Sequence, residues 1–589
     1  MSQLGFLSDS RTSALVDLQG RILWYCPLRF DGPSVFAELI DDSAGGWHLA
    51  PVGPATTTRR YLGESLILVT RHEQSGAVVE VTDFCALGTP RGSHELGNDV
   101  PASLVRIVRA TGGSGRIAMR MTPRFEYGLT VARVELRDKA ARMVAGPLGL
   151  RLIADVPLNV ADGGVESTFE LRAGQSATFT LTAWDAVNGD EPPRSSAAAL
   201  FQQTELGWSR WMEPHRRYDG VAVDVVRRSV LVLQGLTDAR TGAVVAAATT
   251  SLPERMGGEW NWDYRFAWLR DLSFVMRALW IAACPDEPDR FLRFLAGALG
   301  ELDGRLVPIV LGSDGRRDLA EHTLDHLDGY RSSRPVRVGN DAWRQRQLDV
   351  VGEVLDSAHL LRHNIPDMPD DVRHMLRGFA ERAASEWQLL DAGMWEARDK
   401  ERPYTSSKVM CWLALDRAIS LGEIIGSDLP LERWARERDL IRDTVMREAW
   451  SERAGAFAGA LGSDELDASV LLMPLVGFLP ADDPRMKATI EAIRKKLTTG
   501  HLVHRWDGDT NGFLLCSFWL AECEAMAGEK DAARKRFEAL AGLTNDLGLM
   551  AEMYDPIANE MLGNFPQAFS HVGLINAAWR LSPRVKQPS

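Results

Sequence analysis

Cysteine is scarce in this sequence: there are six residues in 589, and no two of them form a C-x-x-C pair. Scattered thiols exclude a disulfide-stapled miniprotein and give no metal-ligand spacing, so we expect reduced, buried cysteines in a cytoplasmic protein and no metal or cofactor. The N-terminus lacks the basic and apolar segments of a secretory signal. The longest apolar stretch, residues 468–481, contains two prolines and is too short to span a bilayer.

Positive charge is also in deficit, because 67 Lys and Arg stand against 80 Asp and Glu, a net charge of −13. An acidic chain lacks the basic surface of proteins that bind nucleic acids or anionic membranes, so we expect neither as a partner. Composition leaves open whether the chain forms a homo-oligomer. Tyrosine is rare, with 8 residues against 18 Trp. Trp offers a broad apolar face and one N–H donor, which suits a core, an interface or a sugar-binding cleft.

The period of the hydrophobic pattern changes near residue 200. Before it, segments such as 116–122 alternate apolar and polar residues, as strands do, and 167–183 is predicted to form a β-hairpin. After about residue 221 the apolar residues recur at helical spacing, for example in 221–236, 371–390 and 511–528.

The long loops between these helices are rich in Trp, and long loops in compact domains are often functional. We therefore predict a β + α multidomain protein: a β-sandwich-like domain over 1–200, a linker helix over 201–220, and a helical domain over 221–589. Helix pairs with chemistry-rich loops favour an α/α toroid over a four-helix bundle.

Residues 251–274 form the first of four segments that carry chemistry. Arg270 and Asp271 follow Tyr264 and Trp268 closely. A guanidinium fork and a carboxylate beside aromatic faces can bind adjacent hydroxyl groups of a pyranose. A helix cap by Asp271 with a structural ion pair explains the same residues equally well.

The second segment, residues 329–354, places Arg334 and Arg337 on either side of a proline, with Trp343 downstream. A stiff basic loop of this kind lies either on the surface or against a substrate. The sequence alone leaves both interpretations open.

Two glutamates in the remaining segments have apolar neighbours. Glu396 follows Trp395, and an indole favours the protonated form of an adjacent carboxyl, which a general acid requires. Glu552 lies between Met550 and Met553, which is unusual for a surface glutamate. Most glutamates are solvated surface groups, so these patterns make both residues candidates only.

Five strings in these segments, taken in order, resemble glycoside hydrolase family 15, which groups glucoamylases, glucodextranases and bacterial trehalases. The strings are TTSLPE (249–254), NWDYRFAWLRD (261–271), SRPVRVGN (333–340), KVMCWLALDRA (408–418) and MLGNFPQAFSHVGLI (561–575). Residues 5–40 are similar to the trehalase-like N-terminal β-domain of bacterial members.

The resemblance implies a catalytic (α/α)6 barrel and an anomer-inverting hydrolysis by two glutamates, Glu396 as general acid and Glu552 as general base. It implies that a single substrate site is lined by the remaining candidates. These are Tyr264, Trp268, Arg270 and Asp271 around the non-reducing glucose, Arg334 and Arg337 near the cleaved bond, and Trp343 and Trp395 in the surrounding loops.

Two departures from the family pattern affect substrate contacts. Ala397 stands where fungal glucoamylases have a second acidic residue, and 510–512 replaces a frequent Gly-Glu-Gly. We expect an exo-acting α-glucoside hydrolase that releases β-D-glucose from a small α-glucoside, with trehalase-like or glucoamylase-like specificity. The alternatives are a non-catalytic carbohydrate-binding protein on the same fold, or another (α/α)6-barrel enzyme such as a disaccharide phosphorylase or a sugar epimerase.

Overall fold

The computed structural model describes residues 1–90, 95–97, 99–282, 287–300, 306–363 and 368–583. Strands dominate as far as residue 185 and helices dominate after it, which confirms the predicted fold class. The domain limits proposed above stay predictions. The strands of the first part are β1 (Gly5–Ser8), β2 (Ser13–Val16), β3 (Arg21–Tyr25), β4 (Gly46–Pro51), β5 (Thr56–Tyr61), β6 (Leu68–Gln74), β7 (Ala77–Cys85), β8 (Ser103–Thr122), β9 (Val134–Arg137), β10 (Ala140–Ala145), β11 (Leu148–Ala154), β12 (Asn159–Ala161), β13 (Gly164–Arg172) and β14 (Ser176–Asp185).

Strand β8 organises the N-terminal part, because its 20 residues are long enough to pair in two sheets. Residues 103–113 pair with β7 and β14, whereas residues 114–122 pair with β4 and β13, all antiparallel. The first sheet continues through β6 and β5 on one side and β11, β10 and β9 on the other. The second continues through β3, β2 and β1 on one side and β12 on the other.

The predicted strand over 116–122 is confirmed, but the predicted hairpin over 167–183 is wrong. Ile117 and Met121 are buried and Arg120 between them is exposed, as alternation requires. The two arms of the supposed hairpin are strands β13 and β14, yet each pairs with a different half of β8. The turn at 173–175 therefore passes the chain from one sheet to the other.

A buried ion pair lies in the core of this part. The Arg106 guanidinium donates to both carboxylate oxygens of Asp83, at 2.8 and 3.1 Å, and neither side chain is exposed. Arg106 also donates to the main-chain carbonyls of Trp47 and Gly20. The positive charge of Arg106 is thus paired with a carboxylate, and its N–H groups have hydrogen-bond partners within the protein, as a buried guanidinium requires.

The second part of the chain is built of helices, and the helices predicted over 221–236, 371–390 and 511–528 are confirmed with shifted ends. The helices are α1 (Ala197–Met212), α2 (Val223–Gly235), α3 (Leu269–Ile281), α4 (Glu287–Leu299), α5 (Val350–Leu360), α6 (Asp370–Glu386), α7 (Thr405–Leu421), α8 (Leu431–Glu448), α9 (Leu472–Leu475), α10 (Pro484–Lys496), α11 (Leu514–Met526), α12 (Lys530–Ala541) and α13 (Ala568–Leu581). Helical 3-10 turns span Pro214–Arg217, Tyr330–Ser332, Asp341–Arg344, Gly422–Ile424 and Ala468–Leu471.

Within the described residues, six helices form a closed inner ring, in which α3, α5, α7, α9, α11 and α13 each contact the next and α13 contacts α3. Helices α2, α4, α6, α8, α10 and α12 pack against this ring from outside. The arrangement is the (α/α)6 barrel that the resemblance implied. Helix α1 precedes it and contacts β14.

The motif-bearing segments lead into the inner helices, so they meet at one end of the barrel. Helices α3, α7 and α13 begin directly after residues 251–268, 391–404 and 552–567. The N-termini of helices carry partial positive charge, which favours carboxylates at this end. Short strands brace these and other connections: β15 (Ala267–Trp268), β16 (Val310–Leu311), β17 (His322–Thr323), β18 (Arg337–Val338), β19 (Trp450–Ser451), β20 (Ala456–Phe457), β21 (Thr498–Thr499), β22 (Leu502–Val503), β23 (Gly512–Phe513), β24 (Met553–Asp555) and β25 (Glu560–Leu562).

A buried arginine connects the segment before α3 to loops of the N-terminal part of the chain. Arg265 donates from Nη1 to the carbonyl of Gly32 at 2.8 Å and from Nη2 to the hydroxyl of Tyr127 at 2.9 Å. Its Nε and Nη2 also bind the carboxylate of Asp263, at 2.9 and 2.6 Å. The segment that carries Tyr264 is thereby anchored to the N-terminal part of the chain.

No helix in the described part of the chain is long and apolar enough to cross a membrane. Cys26, Cys85, Cys411, Cys516 and Cys523 are buried free thiols, as expected, and Cys284 lies outside the described residues.

Candidate active site

A cavity of about 1220 Å³ opens at the end of the barrel where the motif-bearing segments meet. Both candidate glutamates line it, although they lie 156 residues apart in the chain. The predicted site residues in its lining are Tyr264, Trp268, Arg270, Asp271, Arg337, Trp395, Glu396 and Glu552. Most of the residues proposed from sequence are therefore brought to one place.

Arg334 and Trp343 lie outside the lining of this cavity. The Arg334 side chain is 54% exposed and forms its ion pair with Asp328 at the surface. Trp343 is half-buried, and its ring lies under the neighbouring Arg344 guanidinium at 4.8 Å. Both belong to the same segment as Arg337. Of the three candidates in this segment, Arg337 alone lies in the cavity lining.

The Glu396 carboxylate is held by Arg270, which lies in the first turn of α3. Arg270 Nη2 lies 3.0 Å from Glu396 Oε1, and its Nη1 donates to the carbonyl of Met394 at 2.5 Å. Asp271 Oδ2 lies 3.5 Å from Nε of the same guanidinium. One arginine thus joins the candidate acid to the carboxylate proposed to bind sugar hydroxyls.

The backbone of Glu396 has a φ of +59°, in the left-handed region. Non-glycine residues with side chains of this size rarely adopt that conformation, which costs about 1–3 kcal/mol and persists only where surrounding contacts fix it. The turn is closed by the Glu396 N–H donating to Gly393 O at 3.1 Å and by Ala397 N–H donating to Ala392 O at 3.0 Å. The strain lies at the residue proposed to donate a proton.

Glu552 is almost fully buried, and its Oε2 has no hydrogen-bond partner among the described residues. Gly563 leaves the room for it, since a Cβ at that position would lie 2.9 Å from Oε2. Burial raises the pKa of Glu552 well above its ordinary value, and Glu254 raises it further, whereas Arg505 and a hydrogen bond from Tyr264 lower it. A carboxyl with an uncommitted oxygen at a cavity wall suits a group that activates water.

Two further buried carboxyls lie near Arg270, one helical turn apart at the start of α5. None of the carboxylate oxygens of Asp349 and Glu353 has a hydrogen-bond partner in the described part of the chain. Burial raises the pKa of Asp349 to about 7 and that of Glu353 well above its ordinary value, while the Arg270 charge opposes both shifts. Burial also raises the pKa of Asp271 to about 7. The three carboxyl groups around Arg270, those of Asp271, Asp349 and Glu353, are therefore at least partly protonated near neutral pH.

Sequence reasoning missed a buried ion pair in the cavity wall. Arg505 Nη2 lies 2.6 Å from Glu254 Oε2, and its Nε lies 3.0 Å from Asp509 Oδ2. Burial raises the pKa of Glu254, which Arg505 partly offsets. Glu254 ends the TTSLPE string, but nothing in a linear pattern pairs it with a residue 251 positions later.

A second missed residue, Asp467, orients the indole next to Glu396. The Trp395 Nε1–H lies 2.9 and 3.1 Å from the two carboxylate oxygens of Asp467. Asp467 Oδ1 also accepts from the N–H of Ser469 at 2.7 Å, capping a 3-10 turn. A lone aspartate before an apolar run gives no signal of this role.

Comparisons with known proteins identify the family of the chain. The family model described as "Glycosyl hydrolases family 15" matches residues 220–579, and the one described as "Trehalase-like, N-terminal" matches residues 1–173. A trehalase of Mycolicibacterium smegmatis is 36% identical over 98% of this chain and 90% of its own length. A trehalase of Mycobacterium tuberculosis is 35% identical over 98% of this chain and 89% of its own length.

The fold is that of a solved bacterial glucoamylase in complex with acarbose. The two structures superpose with a TM-score of 0.72 over 98% of this chain and 94% of the glucoamylase, at 12% sequence identity. The family model covers more than half of the chain and the two trehalases align with nearly all of it, so the chain belongs to glycosyl hydrolases family 15.

Proposed function

We propose that this protein is an anomer-inverting α-glucoside hydrolase that cleaves trehalose into two glucose molecules. The observation that carries the proposal is the convergence of Glu396 and Glu552 on one cavity beside Arg270 and Asp271. The choice of trehalose is supported by the two mycobacterial trehalases, which align with 98% of the chain.

Cleavage of an acetal requires a proton on the leaving oxygen and a nucleophile at the anomeric carbon. Glu396 donates that proton, from a loop held over the cavity by Arg270. Glu552 takes a proton from the attacking water through its uncommitted oxygen. Water then replaces the leaving oxygen from the opposite face of the sugar, which inverts the anomeric configuration.

The other lining groups hold the sugar that is attacked. Arg270 and Asp271 offer donors and an acceptor to adjacent hydroxyls, and the rings of Tyr264 and Trp268, 5.6 Å apart, offer apolar faces. Polar groups in fixed positions within a partly desolvated site provide most of the orientation that such a reaction requires.

A substrate panel tests the specificity. Trehalose, maltose, isomaltose, kojibiose and nigerose are incubated with the protein, and free glucose is measured. We expect the highest kcat/KM on trehalose, with two glucose molecules per substrate consumed. Inorganic phosphate is included in a parallel incubation, in which a phosphorylase would instead yield one glucose and one glucose 1-phosphate. A binding protein would yield no glucose in either incubation.

The stereochemistry is tested by proton NMR before mutarotation. Inversion at one carbon of trehalose gives one β-glucose, and the leaving half keeps its configuration and appears as α-glucose. Equal initial amounts of the two anomers are therefore expected. Initial formation of α-glucose alone would refute inversion.

The two glutamates are tested by Glu396→Gln and Glu552→Gln. Each substitution removes a proton-transfer group, so kcat should fall by about 10²–10⁴-fold. Glu401→Gln, in the same loop as Glu396 but exposed and outside the cavity lining, is the matched control and should retain wild-type kcat. Wild-type turnover in either site variant would contradict its role.

A further inference from the structure

The left-handed backbone of Glu396 is fixed by two side chains as well as by its own turn. Gln345, which follows a 3-10 turn in another segment, donates its amide N–H groups to the carbonyl oxygens of Glu396 and Ala397, both at 3.3 Å. Gln347 in turn donates to Gln345 Oε1 at 3.3 Å. The carbonyl of the candidate acid thus has a fixed direction.

Arg398, two residues after Glu396, fixes the other side of the turn. Its guanidinium lies 3.9 Å from the centre of the Trp262 ring, and that of Arg337 lies 4.5 Å from the same ring. Glu321 joins the two arginines, at 2.8 Å from Arg398 Nη2 and 3.0 Å from Arg337 Nε. We call this set of four residues the arginine clamp.

The clamp and Gln345 act on a backbone conformation that a glutamate does not adopt unaided. Strained conformations of this kind survive only where the surroundings over-determine them, and they concentrate at functional residues. A planar guanidinium stacked on an indole and paired with a carboxylate resists rotation more than a flexible ammonium would. Both contacts therefore restrict where the Glu396 carboxyl can point.

We infer that Gln345 and Arg398 are positioning residues, which hold Glu396 in the orientation from which it protonates the leaving oxygen. This inference rests on the proposed function. It assigns no proton transfer to either residue. Gln345 lies outside the cavity lining, whereas Arg398 lies in it. The KM for trehalose is therefore measured as well, and it should be unchanged in both variants, because a positioning residue does not bind the sugar.

The test compares two substrates that differ in their need for an acid. Trehalose has a poor leaving group that must be protonated, whereas α-D-glucosyl fluoride releases fluoride without that proton. Gln345→Leu and Arg398→Met should each lower kcat on trehalose at least about 10-fold and change kcat on the fluoride less than about 3-fold. Glu396→Gln should show the same selectivity and Glu552→Gln should lose both activities.

The ratio of the two kcat values, measured on one preparation, does not depend on the fraction of protein that is folded. Two variants in the N-terminal part match the chemistry away from the site. Gln74→Leu removes an amide that donates to the carbonyls of Val52 and Gly53, and Arg142→Met removes a guanidinium lying 5.6 Å from an indole. Both controls should keep the wild-type ratio.

Equal losses on trehalose and on the fluoride in either site variant would overturn the positioning role of that residue. Unchanged kcat on trehalose would overturn it as well. A wild-type protein that hydrolyses neither substrate would instead refute the proposed function, so the two failures are distinguishable.

Discussion

Replacing Asp349 by Asn should stabilise the protein, and more so as the pH rises from 5 to 7. The aspartate is fully buried near Arg270, and neither carboxylate oxygen has a hydrogen-bond partner among the described residues. Burial raises its pKa to about 7 from an ordinary value of 3.8. Over this range the folded protein retains a proton that the unfolded chain has released, so unfolding becomes easier as the pH rises.

The size of the effect follows from these two pKa values. Because the folded state keeps this proton, its stability relative to the unfolded chain falls by about 2 kcal/mol near pH 5 and by about 4 kcal/mol near pH 7. An asparagine has the same shape and does not titrate, so the variant escapes a penalty that grows by about 2 kcal/mol between those conditions.

The assay is the thermal midpoint of unfolding, followed by tryptophan fluorescence at both pH values for wild type and variant. Asp531→Asn, in the first turn of α12 and exposed, is the control and should show no such change. A stability difference between Asp349→Asn and wild type that is the same at pH 5 and pH 7 would refute the reasoning.

Three further predictions concern the site and the core. The acidic limb of kcat/KM should lie above the usual range of glutamates, because Glu552 must lose its proton to act and burial raises its pKa; Glu254→Gln should move this limb to lower pH, and a limb that does not move would contradict the coupling. Asp467→Leu should lower kcat more than Asp467→Asn does, since the amide can still accept from the indole; equal kcat in the two variants would count against that role. Asp83→Ala should destabilise the protein by about 3–5 kcal/mol by leaving a buried arginine unpaired, whereas Glu73→Ala, which breaks an exposed pair with Arg71, should cost less than about 1 kcal/mol; similar thermal midpoints would disprove this.

The fold could be predicted where the periodic signal was local. Alternation over 116–122 and helical spacing over 371–390 reflect one buried face each, and both elements are present. The prediction of a hairpin over 167–183 was wrong because strand pairing depends on both partners. Strands β13 and β14 each pair with β8 and not with each other. Helix α9 is four residues long, too short for any period to reveal, yet it completes the inner ring.

The same distinction between local patterns and contacts between segments applies to the candidate site. Motifs located the segments with Glu396 and Glu552, because each motif is a continuous string. Contacts between segments were not predictable: Glu254 with Arg505, or Gln345 with the Glu396 carbonyl, join residues that no spacing relates.

Arg265 has a consequence for modular exchange of parts between relatives. Besides its ion pair with Asp263, its guanidinium donates to the Gly32 carbonyl and the Tyr127 hydroxyl, which both lie in the N-terminal part of the chain. Consider a chimera that keeps this barrel and takes its first 185 residues from a relative. It keeps the catalytic motifs, but the relative must supply the two hydrogen-bond acceptors at the same positions. Without them, Arg265 keeps its ion pair with Asp263 but has buried N–H donors without partners next to Tyr264. Grafts should therefore be chosen first for compatibility at this junction and only then for similarity of the catalytic motifs.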